Sequence, residues 1–123
     1  MAKARDYLAF VVVWNLLPSD YDDERVAEIE KAINSAISSS ADNRFEANKE
    51  NMVFSFPQDP SVRAVEIPVV VQIRLLGANV FGEERDAMAD HIRQQLLSFF
   101  NRGDVVVLIL NSLPIAFSPR EEK

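Results

Sequence analysis

The chain has 123 residues and a mass of 13.9 kDa, which is the size of one domain. Hydrophobic residues make up 48% of the sequence and charged residues 26%, so the composition excludes a wholly disordered chain. The formal net charge is −6, which excludes a general nucleic-acid binder because phosphate contacts need clustered Lys and Arg. We therefore expect one small acidic domain that binds no nucleic acid.

Few residues can carry reactive or metal-binding chemistry. The sequence has no Cys and one His, His91, so it lacks disulfides, thiolate nucleophiles and His-rich or Cys-based metal sites. Its three glycines are scattered and form no phosphate loop, and we predict no metal and no cofactor. The absence of Cys is typical of a cytoplasmic protein, which is the location we predict. The longest apolar run, Leu8 to Trp14, is far shorter than the ~20 residues that span a bilayer, so we predict no membrane partner.

The first half of the chain has the pattern strand, helix, strand. Leu8 to Leu17 is rich in Val and aromatic residues, which predicts a strand buried on both faces. Acidic residues at 20–24 then favour a helix N-terminus, and spacings of three and four predict one apolar stripe. The stripe consists of Val26, Ile29, Ile33 and Ile37, with Ala32 and Ala36 beside it. A polar segment over 41–50, predicted to be a mobile loop, leads to a second strand at Met52 to Phe56.

The second half repeats this pattern. Val65 to Leu76 predicts a third strand, and the range from Glu83 to Phe100 predicts a second helix. The apolar stripe of this helix consists of Met88, Ile92, Leu96 and Phe99. Gly103 suits its C-terminal cap. Asp104 to Leu110 predicts a fourth strand, and Leu113 to Phe117 is a short apolar segment after a turn.

The two halves also match in sequence. The matched pairs are Val11–Val13 with Val69–Val71, Leu16-Leu17 with Leu75-Leu76, and Glu24-Arg25 with Glu84-Arg85. Three matches in the same order favour a duplicated β-α-β unit, and independent convergence on that pattern is the alternative. We predict one domain over 1–123, with an N-terminal extension at 1–6, β-α-β units at 7–56 and 65–110, and a C-terminal segment at 113–117.

Two right-handed β-α-β units placed side by side form an α+β fold, a four-stranded mixed sheet with both helices on one face. Three of the four strands are apolar on both faces, and two helices can cover only one face of a sheet. Large exposed apolar faces are rare in soluble monomers. We therefore expect the second face to pack against another subunit.

This plan resembles the tautomerase superfamily, which includes oxalocrotonate tautomerase, carboxymethyl hydroxymuconate isomerase and macrophage migration inhibitory factor. The likeness covers about Tyr7 to Phe117 and rests on the doubled β-α-β plan, the length, the acids Asp22 to Glu24 and the segment Leu113 to Phe117. The resemblance implies a homotrimer in which three sheets face inward. It also implies that the C-terminal segment pairs with a neighbouring subunit.

The chain departs from this superfamily at the catalytic residue. The resemblance implies an amino-terminal Pro that begins the first strand and acts as general base or acid. Here Met1 is followed by Ala2, and the matching strand start lies near Tyr7 to Phe10, where no Pro occurs. No catalytic residue is carried over, and we expect no appreciable tautomerase activity by that mechanism. The sequence favours a homo-oligomeric protein for assembly or small-ligand binding.

Three residues are candidates for a ligand site. Arg74 lies in the predicted third strand, and the resemblance implies that such an Arg can bind a substrate carboxylate, which its planar fork suits. An ion pair with one of the 19 acids is the alternative. Trp14 and Asn15 end the first strand and are the second and third candidates, the alternatives being a core residue and a turn cap. We predict a small anionic ligand near Arg74, and for His91 a boundary position without a catalytic role.

A second fold has the same element order. A ferredoxin-like module, typically a regulatory or interaction domain that dimerises through its sheet, is also built as strand, helix, two strands, helix, strand. Strand adjacency distinguishes the two plans. The second strand lies beside the first in the tautomerase plan and beside the third in the ferredoxin-like plan.

Overall fold

A computed structural model describes residues 7–58, 67–76, 79–101 and 103–111. The elements are β1 (Ala9–Trp14), α1 (Asp23–Ser38), β2 (Met52–Ser55), β3 (Val69–Leu75), α2 (Gly82–Phe100) and β4 (Val105–Leu110), with 3₁₀ turns at Pro18–Tyr21 and Ala41–Asn43. Each predicted helix and strand is present. The predicted extension at 1–6, residues 65–66 of the third strand and the segment at 113–117 lie outside the described residues.

The sheet has the strand order β2-β1-β3-β4. β1 is parallel to β2, β3 is parallel to β4, and the central pair β1 and β3 is antiparallel. Each β-α-β unit therefore contributes one adjacent parallel pair. This arrangement confirms the α+β fold with a four-stranded mixed sheet. Because β2 lies beside β1, the ferredoxin-like alternative is wrong.

Both helices pack on one face of the sheet. The strand residues beneath them alternate along the chain and are fully buried: Ala9, Val11, Val13, Val69, Val71, Ile73, Leu75 and Val105. The helices contribute Ile29, Ile33, Ala36 and Ile37 from α1, and Met88, Ile92, Leu96 and Phe100 from α2. The predicted stripes are therefore present with two exceptions. Val26 at the start of α1 is only partly buried, and Phe100 replaces Phe99 because the four-residue spacing continues to the end of α2.

The C-terminal ends of β1 and α2 differ from the sequence prediction. β1 ends at Trp14 and not at Leu17, because Asn15 adopts a left-handed φ of 69°. α2 is capped by Asn101, whose φ is 52° and whose N–H donates to the Leu97 carbonyl, where Gly103 had been predicted. Asn is the residue other than Gly that most readily takes this conformation.

The segment at 41–50, predicted to be a mobile polar loop, packs against the core. Phe45 and Ala47 are buried within it. Ser38 at the end of α1 holds the segment, since its Oγ accepts a hydrogen bond from the Ala47 N–H at 2.9 Å and lies 3.3 Å from the Ala47 carbonyl. Two buried apolar residues and the Ser38 hydroxyl thus attach this largely polar segment to the domain.

The opposite face of the sheet, called the open face below, has no helix of the described chain packed on it. Its residues follow from the register and the alternation of the strands: Phe10, Val12, Trp14, Val53, Ser55, Val70, Gln72, Arg74, Val106, Leu108 and Leu110. Phe10 is 39% exposed, Trp14 43% and Leu108 44%. The sequence had predicted that β1 is buried on both faces. In a single chain it is buried on one face only.

Candidate functional site

Arg74 lies near the C-terminal end of β3, within the open face. Its row across the sheet runs Val53, Phe10, Arg74 and Leu110, so its immediate neighbours on both sides are apolar. The residue is partly buried, and its side chain makes no hydrogen bond or ion pair with the described part of the chain. The structural alternative, an ion pair within the same chain, is therefore not found among the described residues.

The described residues of the open face carry no negative charge to balance Arg74. Among the open-face residues that the structure describes, none is Asp or Glu, and the other polar side chains are those of Ser55 and Gln72. Gln72 lies two residues before Arg74 on the same face of β3, about 6.6 Å away along the strand. A guanidinium and a carboxamide thus stand together on an otherwise apolar surface.

Trp14 lies on the open face but at the other end of the sheet. It pairs across β1 and β3 with Val70, four residues from Arg74, which places the two side chains about 13 Å apart along the strand. The antiparallel register causes this separation, because the C-terminal end of β1 meets the N-terminal end of β3. Within one chain, Trp14 and Arg74 share a face without sharing a pocket.

Asn15 takes part in a backbone contact at the same end of the sheet. Its Nδ2 donates a hydrogen bond to the Pro68 carbonyl at 3.1 Å, and its left-handed φ turns the chain away from β1. This geometry matches the alternative role as a turn residue. The structure thus separates the three candidates into Trp14 with Asn15 at one end and Arg74 at the other.

A polar contact that the sequence did not predict joins the end of α1 to α2. Ser39 caps the C-terminus of α1, and its Oγ lies 2.7 Å from Nε2 of His91 on α2. The same Oγ lies 3.3 Å from the Ala36 carbonyl. The sequence shows the run Ser38-Ser39-Ser40 and the single His, His91. It does not show that Ser39 contacts His91, because this contact depends on how α1 and α2 cross.

Ser39 lies between two surface grooves on the helix side. The larger, about 640 Å³, is lined partly by Lys31 and Lys49, and the smaller, about 360 Å³, by Asp42 and Glu84. His91 makes no contact through Nδ1 with a carboxylate in the part of the chain described here. Among the described residues, the pair is therefore a hydrogen bond between the end of α1 and α2.

The other notable carboxylates hold the fold together. Asp20 is buried, and it accepts a hydrogen bond from the Leu17 N–H at 2.9 Å and pairs with Arg25 at 3.3 Å. Asp104, before β4, accepts hydrogen bonds from the Val105 N–H and from Arg93, each at 2.8 Å. These contacts, the Val105 N–H first, lower the pKa of Asp104 below its ordinary value of 3.8. Neither carboxylate faces the open face.

The described ranges contain no cluster of metal ligands and no membrane-spanning helix. No three His, Asp or Glu side chains in these ranges converge into a set that could hold a metal ion. Neither helix is long and apolar enough to cross a membrane. Arg74 and its apolar surroundings on the open face are therefore the candidate site.

Comparison with known proteins identifies the fold. No family model and no curated protein matches the chain. A solved structure described as "R7 fused 4-OT wild type asymmetric trimer" is similar, with a TM-score of 0.62 and 17% identity over 84% of this chain and 85% of that one. The crystal structure of 5-carboxymethyl-2-hydroxymuconate delta-isomerase gives a TM-score of 0.47 and 10% identity, over 87% and 83%. The chain has a tautomerase-type fold, as the sequence resemblance predicted.

Proposed function

We propose that the protein is a tautomerase-like homotrimer whose open faces pack together, and that it binds a small anionic ligand through Arg74. It does so without the amino-terminal proline chemistry of tautomerases. The observation that carries the proposal is the open face, which is mostly apolar and carries no helix of the described chain. The similar fused 4-OT structure is described as a trimer, which supports the same assembly here.

Energetics favour covering this face. Phe10, Trp14 and Leu108 each leave about two-fifths of their surface exposed in the single chain. Apolar area removed from water contributes about 25 cal/mol per Å², so a face of this kind is a strong interface when a second copy covers it. The face is also continuous across the four strands. These features support a sheet-to-sheet assembly over a free monomer.

The ligand proposal follows from Arg74. A guanidinium that becomes buried needs a negative partner, and its fork matches a carboxylate or phosphate through two parallel hydrogen bonds. Arg74 has no partner among the described residues of its own chain. A small anion at a subunit edge supplies that charge. Trp14 and Asn15 of the same chain lie at the other end of the sheet, so the Trp14 and Asn15 that line the site belong to a neighbouring copy.

We propose no appreciable tautomerase activity. No Pro occurs between Tyr7 and Phe10, where β1 begins. The backbone there is built into the sheet, because the Leu8 N–H donates to the Asn51 carbonyl at 2.8 Å. A peptide nitrogen in this setting is not basic and cannot accept a proton at neutral pH. The proposed location is cytoplasmic, for which the absence of Cys is the support.

Two measurements test these proposals. Sedimentation equilibrium at micromolar concentration should give three times the chain mass of 13.9 kDa, and a monomer at all concentrations would contradict the assembly. Proton exchange on phenylpyruvate with purified protein should stay at the buffer rate. Turnover that is lost when the N-terminal amine is blocked would overturn the non-catalytic part.

A further inference from the structure

The open face brings a positive charge into any interface that covers it. Each copy contributes Arg74, and no described residue of the face contributes a carboxylate. When identical faces meet, like charges approach each other in an apolar setting, where electrostatic interactions are stronger than in water. An uncompensated guanidinium in such a place opposes assembly.

We infer that the assembly takes up an oxyanion at Arg74, so that anion binding and self-association are coupled. This inference rests on the proposed function and adds a regulation to it. In the single chain, Arg74 is only partly buried. When a second copy covers the open face, Arg74 becomes enclosed and can surround an anion. An anion that binds the assembled form more tightly than the single chain stabilises the assembly by mass action.

The residues around Arg74 favour a small oxyanion with two or more acceptor oxygens. The guanidinium offers a planar pair of donors, and the Gln72 carboxamide on the same face offers an additional N–H₂ donor. Phe10 and Leu110 flank Arg74 across the sheet and exclude water once covered. Carboxylates and phosphates share this chemistry, and chloride lacks the paired acceptor geometry.

Coupling makes two predictions of opposite sign. In chloride, Arg74→Gln should strengthen self-association, because it removes the uncompensated charge from the interface. In phosphate or oxalate, the same variant should no longer respond to the anion, because the guanidinium is gone. A residue that only packs in the interface would weaken the assembly in every buffer when changed. The sign therefore separates an anion site from a packing role.

The experiment is a dilution series of the full chain by sedimentation velocity at pH 7. It compares sodium chloride, inorganic phosphate and sodium oxalate at matched ionic strength. We expect phosphate or oxalate to lower the concentration of half-dissociation at least tenfold, and the more effective anion identifies the ligand class. Arg85→Gln is the matched control, because Arg85 is an exposed arginine on α2, and it should respond like the parent chain.

The outcomes distinguish this inference from the proposed function. A trimer whose dissociation is the same in all three salts overturns the inference alone and leaves the proposed assembly standing. A monomer in all three salts overturns the proposed assembly as well. Arg74→Lys provides a second variant that keeps the charge without the fork, and its response to the anions should be weaker than that of the parent. Thermal unfolding of each variant checks that it is folded.

Discussion

Trp14→Ala should weaken self-association while leaving the single chain folded. Trp14 is 43% exposed in one chain, which corresponds to about 100 Å² of surface for a side chain of about 250 Å². Covering that area contributes about 2.5 kcal/mol per copy at about 25 cal/mol per Å². The variant should therefore raise the dissociation constant by about 70-fold for each copy whose Trp14 is covered.

Sedimentation velocity over a hundredfold dilution measures this effect. Phe81→Ala is the matched control, because Phe81 is 66% exposed at the start of α2 and lies outside the open face. We expect Phe81→Ala to dissociate like the parent chain. Equal behaviour of the two variants would show that the open face is not the interface, and the reasoning from its exposed aromatic residues would fail.

Three further changes have defined outcomes. Asp104→Asn should lower the free energy of unfolding at pH 7. Because the folded-state pKa of Asp104 is lowered, its carboxylate stabilises the fold above pH 3.8 and loses this effect as the pH falls below about 3.8, so the difference between variant and parent should shrink there. Urea unfolding at several pH values measures this difference. Ser39→Ala should lose up to about 1 kcal/mol of stability because it removes the hydrogen bond to His91. Ser35 is an exposed residue of α1, so the control Ser35→Ala should lose little stability. If the two variants differ in self-association, the role of Ser39 is not purely local. Deleting residues 113–123 should weaken self-association, and an unchanged mass would remove the intersubunit role of that segment.

The elements and their faces could be predicted because their signals are local. In α1, Ile29, Ile33 and Ile37 recur at helical spacing, and burial follows that spacing directly. In β3, successive side chains alternate between the core and the open face. The excess of apolar residues over what two helices can cover was also visible in the sequence. This excess predicted an uncovered face of the sheet, and the strand register then showed which residues form it.

Contacts between distant segments could not be predicted in the same way. Ser39 and His91 are 52 residues apart, and only the crossing of α1 and α2 brings them within 2.7 Å. The site hypothesis grouped Trp14 with Arg74 because both lie at strand ends, but the antiparallel register places those strand ends at opposite ends of the same sheet face. A turn at Asn15 was a sequence-based alternative, but its hydrogen bond to the Pro68 carbonyl, 53 residues away, had no local signal.

Trp14 is the one Trp of the sequence and lies on the open face, so its fluorescence reports directly whether that face is covered. The decisive measurement is acrylamide quenching of Trp14 across the dilution series in which the mass is determined. We predict that quenching is weak where the protein is trimeric and rises as it dissociates. Strong quenching that stays constant while the mass changes would show that the copies associate through another surface.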